Sequence, residues 1–184
     1  MRRLVAIAMT CAAMGIGISS GAYAATFKWA SQGDILTFDP HAQNEAFNNT
    51  ANSYVYEALL NLNKGKVQPC LAESWTSVPE GFVFKLRKGV KFHEGEPLTA
   101  EDVAFSINRA LHPISQFKTF TAGILGAEAL PNGDVLIRTI NHSPVLLNQL
   151  AYLRILNKAW AEKHGAEFSH ARERCSHRCE RLKN

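Results

Sequence analysis

Apolar residues cluster at the start of the chain and then settle into short periodic runs. The run from Leu4 to Ile18 follows Arg2 and Arg3 and leads into the small residues Ser19, Ser20, Gly21, Ala22, Tyr23, Ala24 and Ala25. A positive start, an apolar middle and an A-x-A-like end (Ala22-Tyr23-Ala24) make a secretory signal peptide, expected to be cleaved after Ala24. The run is shorter than the roughly 20 residues that a membrane span needs. Cys11 lies inside it without a small-residue lipobox before it, so residues 1–24 are expected to leave a soluble protein in the periplasm.

Beyond Ala25 the periods change quickly. Thr26 to Ala30 alternates around Phe27 and Trp29 and predicts a short strand, followed by a polar stretch from Ser31 to Asn44. From Glu45 to Leu62, Phe47, Ala51, Tyr54, Val55, Ala58, Leu59 and Leu62 recur at three- and four-residue spacing and predict a helix ended by Asn63-Lys64-Gly65. Val67 to Ser77 and Phe82 to Arg87 predict strands joined by a turn at Val78-Pro79-Glu80-Gly81. Thr99 and Asp102 form a capping box before a helix carrying Val103, Phe105, Ile107 and Leu111. Ile124 to Leu130 and Val135 to Ile140 flank Asn132-Gly133, a hairpin signal. Pro144 to Ala151 predicts a helix, Tyr152 to Leu156 a strand and Lys158 to His164 a last helix ended by Gly165. The sum is a mixed α/β domain without internal repeats.

Composition narrows the class. The chain has 184 residues, 46% of them hydrophobic and 20% charged, which suits one globular domain. Its formal charge of +4 sits at the ends: Arg2 and Arg3 at one, and five Lys/Arg against two Glu from Ser169 to Asn184 at the other. The body is close to neutral, so no basic face suggests a nucleic-acid partner. No Gly-rich phosphate loop, G-x-S-x-G elbow or H-E-x-x-H pair occurs, so the chain is expected not to be an enzyme. Asp34 with Asp39 and Glu94 with Glu96 lie in turn-rich segments, where carboxylates usually cap or stay solvated. His41, His93, His112 and His142 fall in loop-like contexts without ligand spacing, and neither a cofactor nor a metal is expected. Cys70 reads as a buried free thiol. Trp75 reads as a core or sheet-face aromatic. Lys85, Arg87, Lys88 and Lys91 alternate with apolar residues like the outer face of a strand.

Several short motifs follow one another in a fixed order. They are Asp39-Pro40-His41, Tyr56-Glu57-Ala58-Leu59, Pro69 with Leu71-Ala72-Glu73-Ser74-Trp75, and Phe84-Lys85-Leu86-Arg87. Val90-Lys91-Phe92-His93, Gly95 with Pro97-Leu98-Thr99-Ala100, and Asp102-Val103 follow. Together they resemble the family-5 extracytoplasmic solute-binding proteins, from about Thr26 to about Glu167. The resemblance implies a two-lobed periplasmic-binding-protein fold, of which residues 25–167 would be the N-terminal part. It also implies a role in delivering peptides, nickel complexes or related small solutes to the membrane permease subunits of an ABC transporter. In oligopeptide-type relatives the backbone just after the Asp-Pro-His motif lies against the ligand like an added strand, which here falls on Asn44, Glu45 and Ala46. Asn44 is also placed to cap the predicted helix. The loop from Phe117 to Phe120 resembles a second cleft-facing stretch, so Phe117 and Phe120 complete the expected ligand-binding set.

The match ends near Glu167. Residues 168–184 are rich in Arg and Cys and lack a pattern that could be buried, so they are expected to be a disordered tail, read in another frame or left by an interrupted gene. By this resemblance the chain is expected to be truncated, and one lobe of a two-lobed clamp is not expected to enclose a ligand. The other reading is a small secreted interaction protein with Cys175, His177 and Cys179 in the tail as a metal site, although their spacing fits no structural zinc pattern.

Overall fold

Alternating apolar residues in Phe82 to Leu86 and the continuous apolar run Val135 to Ile137 build the two central strands of the four-stranded sheet. The computed structural model describes Gly33, residues 35–141 and residues 143–163. The expected strand at Thr26 to Ala30, His142, the helix end at Gly165 and the tail lie outside the described residues. Four antiparallel strands form one sheet in the order β3 (Ala72–Val78), β4 (Gly81–Leu86), β6 (Val135–Thr139), β5 (Ile124–Ala129). A separate hairpin pairs β1 (Leu60–Asn63) with β2 (Lys66–Pro69). The helices are α1 (Ala46–Ser53), α2 (Ala100–Leu111), α3 (Val145–Leu150) and α4 (Lys158–Lys163).

Local chemistry explains the joints. Val78 pairs with Gly81, so Pro79 and Glu80 make the two-residue turn between β3 and β4. Gly81 has φ +148°, and a Cβ there would lie 2.1 Å from the Ile137 carbonyl oxygen, so only glycine lets β4 approach β6 at this point. Gly133 at φ +87° carries the left-handed residue of the β5–β6 turn. Trp75 is partly buried beside Phe84, with ring centroids 6.5 Å apart, as a sheet-face aromatic should be. Lys85 is exposed and pairs with Glu73 across the β3–β4 hairpin at 2.6 Å.

Helix α2 lies against β5 and β6. Its apolar stripe of Ala100, Val103, Ala104, Ile107 and Ala110 joins Phe84, Val135, Ile137, Leu150, Leu153 and Ile155 in the core. Each large side chain buried there contributes roughly 1.5–3 kcal/mol. A second buried stripe runs along α2 at the same helical spacing, but it is polar: Asp102, Ser106 and Arg109. These three side chains hold other segments of the chain.

Four expectations need correction. The helix predicted to reach Leu62 ends at Ser53, because its Asn/Thr/Ser-rich sequence propagates a helix poorly and Tyr56, Ala58, Leu59 and Leu60 are all buried as an extended run. The strand predicted over Val67 to Ser77 is split into β2 and β3 by the buried Cys70 and Leu71. Tyr152 to Leu156 makes only one antiparallel bridge, Ala58 with Arg154. Cys70 is disulfide-bonded rather than free. The other three cysteines of the chain lie outside the described residues.

Candidate functional site

The buried polar stripe of α2 gathers three loops into one place. Arg109 donates from both terminal nitrogens to Asp39, 2.9 Å to Oδ1 and 2.6 Å to Oδ2, a two-pronged pair with both side chains buried. It also reaches His41 Nδ1 at 3.1 Å. The arginine can only donate, so Nδ1 is the acceptor and Nε2 carries the proton. That Nε2–H donates to the carbonyl oxygen of Arg154 at 3.0 Å. The His41 carbonyl in turn accepts from the Gln116 amide and the Ser115 hydroxyl. Burial first, and the Arg109 charge second, push His41 from 6.5 down to about 4, so the imidazole is neutral. Asp39 and His41 are therefore neither solvated nor exposed loop residues; they pin segments 39–46, 115–121 and 152–155 together.

The segment from Tyr152 to Lys158 is fixed from its other end as well. Asp102 closes the capping box with Thr99, and its Oδ1 accepts from the Lys158 amide at 2.8 Å. The Ser106 hydroxyl accepts from the Leu156 amide at 2.8 Å. Ile155 donates to the Glu57 carbonyl at 2.9 Å. The surface on this frame is thus preorganised.

The expected ligand-binding residues fall into two groups on this frame. Asn44, Glu45 and Ala46 are exposed at the start of α1. The cap is Glu45, whose carboxylate accepts from the Phe47 and Asn48 amides, and not Asn44, which instead accepts from the Asn49 side chain. The main-chain N–H groups of Asn44, Glu45 and Ala46 donate to no group among the described residues. Phe117 is 1% exposed and lies between His41 and Phe120, at centroid distances of 5.8 and 5.4 Å, so it backs the surface rather than forming it. Phe120 is partly buried and stacks on Tyr152 at 4.8 Å. Sequence reading missed Tyr152 and Arg154, which it placed in a strand.

Among the described residues no group of three or more His, Cys, Asp or Glu could hold a metal ion. Cys175, His177 and Cys179 lie outside them.

Residues 66–173 match the model of the bacterial extracellular solute-binding proteins, family 5 Middle. The glutathione-binding protein GsiB of Escherichia coli (strain K12) is 30% identical over 142 residues, covering 73% of this chain and 28% of that protein. Two solved structures have the same fold. The binding protein MoaA of A. tumefaciens R10, in complex with mannopinic acid, has TM-score 0.65 and 32% identity over 74% of this chain and 30% of that one. OppA of Haemophilus influenzae, in complex with the peptide RPPGFSPFR, has TM-score 0.65 and 25% identity over 70% of this chain and 30% of that one. The chain spans less than a third of the length of each.

Proposed function

The chain belongs to family 5 of the bacterial extracellular solute-binding proteins, and from that premise we propose that it supplies one wall of the solute cleft of an ABC importer's binding component. The observation that carries this reading is the family match over residues 66–173, since a fold by itself does not fix a function. The wall runs from the free main-chain amides of Asn44 to Ala46 to the Phe120–Tyr152 stack. The amides suit an extended peptide backbone and the rings suit its side chains. GsiB is named for glutathione and OppA was solved with a peptide, which favours peptides or peptide-like solutes here. Membrane permease subunits are the partners that such a component delivers to, and the periplasm is where it works. Residues 1–24 act as the cleaved leader, residues 25–167 as the binding body, and residues 168–184 as a tail without a role in capture.

Amide chemical shifts in a titration with reduced glutathione and with RPPGFSPFR test the reading. Shifts at Asn44 to Ala46 and at Phe120 and Tyr152 are expected. Shifts confined to other surfaces, or none with either probe, would remove it.

A further inference from the structure

Among the described residues, four ion pairs account for Lys85, Arg109, Arg138 and Lys158. Two partly buried arginines, Arg87 and Arg154, make no side-chain hydrogen bond or ion pair among the described residues, and Arg154 is the one in the segment that carries the Tyr152 ring. The charged or titratable groups that act on the Arg154 guanidinium are Tyr152 and Glu57. Burial depresses the guanidinium below the usual arginine range, a sign of charge stripped of water without full compensation.

The root of this side chain is held still. The Arg154 carbonyl accepts from His41, Arg154 bridges to Ala58, and the next amide, Ile155, is bonded to Glu57. Beside it Tyr152, 41% exposed, stacks on Phe120 with the rings 22° from parallel. A guanidinium carried on a fixed backbone two residues from an aromatic stack is a recognisable combination. Its donor fork fits the two oxygens of a carboxylate, and the rings fit the apolar or amide body attached to it.

We propose that Arg154, framed by Tyr152 and Phe120, is the point at which this wall recognises a carboxylate of the captured solute; the assignment rests on the solute-binding reading above. The solute class is then an organic acid or a peptide with a free carboxylate, rather than a neutral or cationic solute. The Arg154 guanidinium bonds to no part of the described fold, whereas Arg109 is bonded to Asp39 and His41 within it.

The full chain is titrated with N-acetyl-L-phenylalanine and with N-acetyl-L-phenylalaninamide, which differ only in carboxylate against carboxamide, while amide shifts are followed. The acid is expected to move residues 119–121 and 152–155 and to bind about tenfold more tightly than the amide, the gain of one charge-assisted contact. In Arg154→Gln the preference disappears while the melting temperature stays that of the parent chain; Arg154→Lys keeps part of it. Equal binding of acid and amide at these residues would overturn the assignment and leave solute capture standing. So would silence of both probes where reduced glutathione still shifts Asn44 to Ala46. If glutathione and both probes are silent, the assignment and the solute-binding reading fall together. A marked loss of stability in Arg154→Gln would make the residue structural and would also overturn it.

Discussion

The Nε2–H of His41 donates to the carbonyl oxygen of Arg154 at 3.0 Å, joining two residues 113 positions apart. One neutral imidazole thereby ties the loop before α1 to the segment that carries Tyr152 and Arg154. On its other nitrogen it receives Arg109, which grips Asp39. The surface proposed for solute and the buried frame meet at this cluster of Asp39, His41, Arg109 and Arg154.

That frame should fail if half of the ion pair is removed. Asp39→Asn leaves the Arg109 charge buried without its partner and should cost about 3–5 kcal/mol. Replacing both together, Asp39→Leu with Arg109→Met, removes the charge as well and should cost clearly less than the single change. Urea denaturation of the three proteins checks the order. A double variant as unstable as Asp39→Asn would show that packing, not charge, sets the loss.

His41 gives the fold a defined acid weakness. Its folded pKa, about 4, lies below the ordinary 6.5 because burial and then Arg109 disfavour the charged ring. As pH falls from 6.5 towards 4 the unfolded chain takes up a proton that the folded chain refuses. The stability from the neutral histidine is therefore complete above about 6.5 and drains away through that window, by about 3 kcal/mol in total. His41→Gln should be less stable near neutral pH, yet its stability should change less between pH 6.5 and 4. Parallel slopes for the two proteins in denaturant melts would assign the acid sensitivity to other groups.

Local signals were readable in the sequence and remote ones were not. The capping box at Thr99 and Asp102 and the turns at Pro79-Glu80 and Asn132-Gly133 depend on residues within a few positions of one another, and they formed as expected. Asp39 and His41 read as turn residues because the arginine that buries them lies 70 and 68 positions away. Arg154 sat inside an apparent strand, since alternation cannot tell one bridge from a full ladder. The helix 46–53 stopped early for a similar reason. Tyr56 to Leu60 have a spacing compatible with either period, and tertiary burial chose the extended one.

Asp102 serves two helices, so its loss should exceed that of an ordinary cap. Thr99→Ala removes one side of the capping box and should cost about 1 kcal/mol. Asp102→Ala also strips the acceptor from the Lys158 amide at the start of α4. Its cost should be larger, and hydrogen exchange should quicken at Leu156 to Lys158 as well as at the start of α2. Exchange that quickens at α2 alone would mean that the second contact contributes nothing.

Export should leave a defined end. If residues 1–24 are the leader, N-terminal sequencing of the periplasmic form should begin at Ala25. Ala24→Leu, which places a bulky residue in the small-residue site, should retain the longer form in the membrane fraction. A periplasmic protein that still begins at Met1 would exclude cleavage.

Phe117 and Phe120 separate support from contact. Phe117 is enclosed by His41 and Phe120, so Phe117→Ala opens a cavity in the frame and should cost about 3–5 kcal/mol. Phe120 is only partly buried and its ring is shared with the exposed Tyr152, so Phe120→Ala should cost less than Phe117→Ala. The two should also differ in kind. Phe120→Ala should weaken the response of Tyr152 and Asn44 to Ala46 to reduced glutathione while the rest of the amide spectrum stays in place, because it removes half of a surface. Phe117→Ala should disperse shifts around His41, Ser115 and Arg154 even without a probe, because it removes what that surface rests on. If Phe120→Ala disturbs the same remote residues without a probe, then Phe120 belongs to the frame too, and the wall proposed for solute begins at Tyr152.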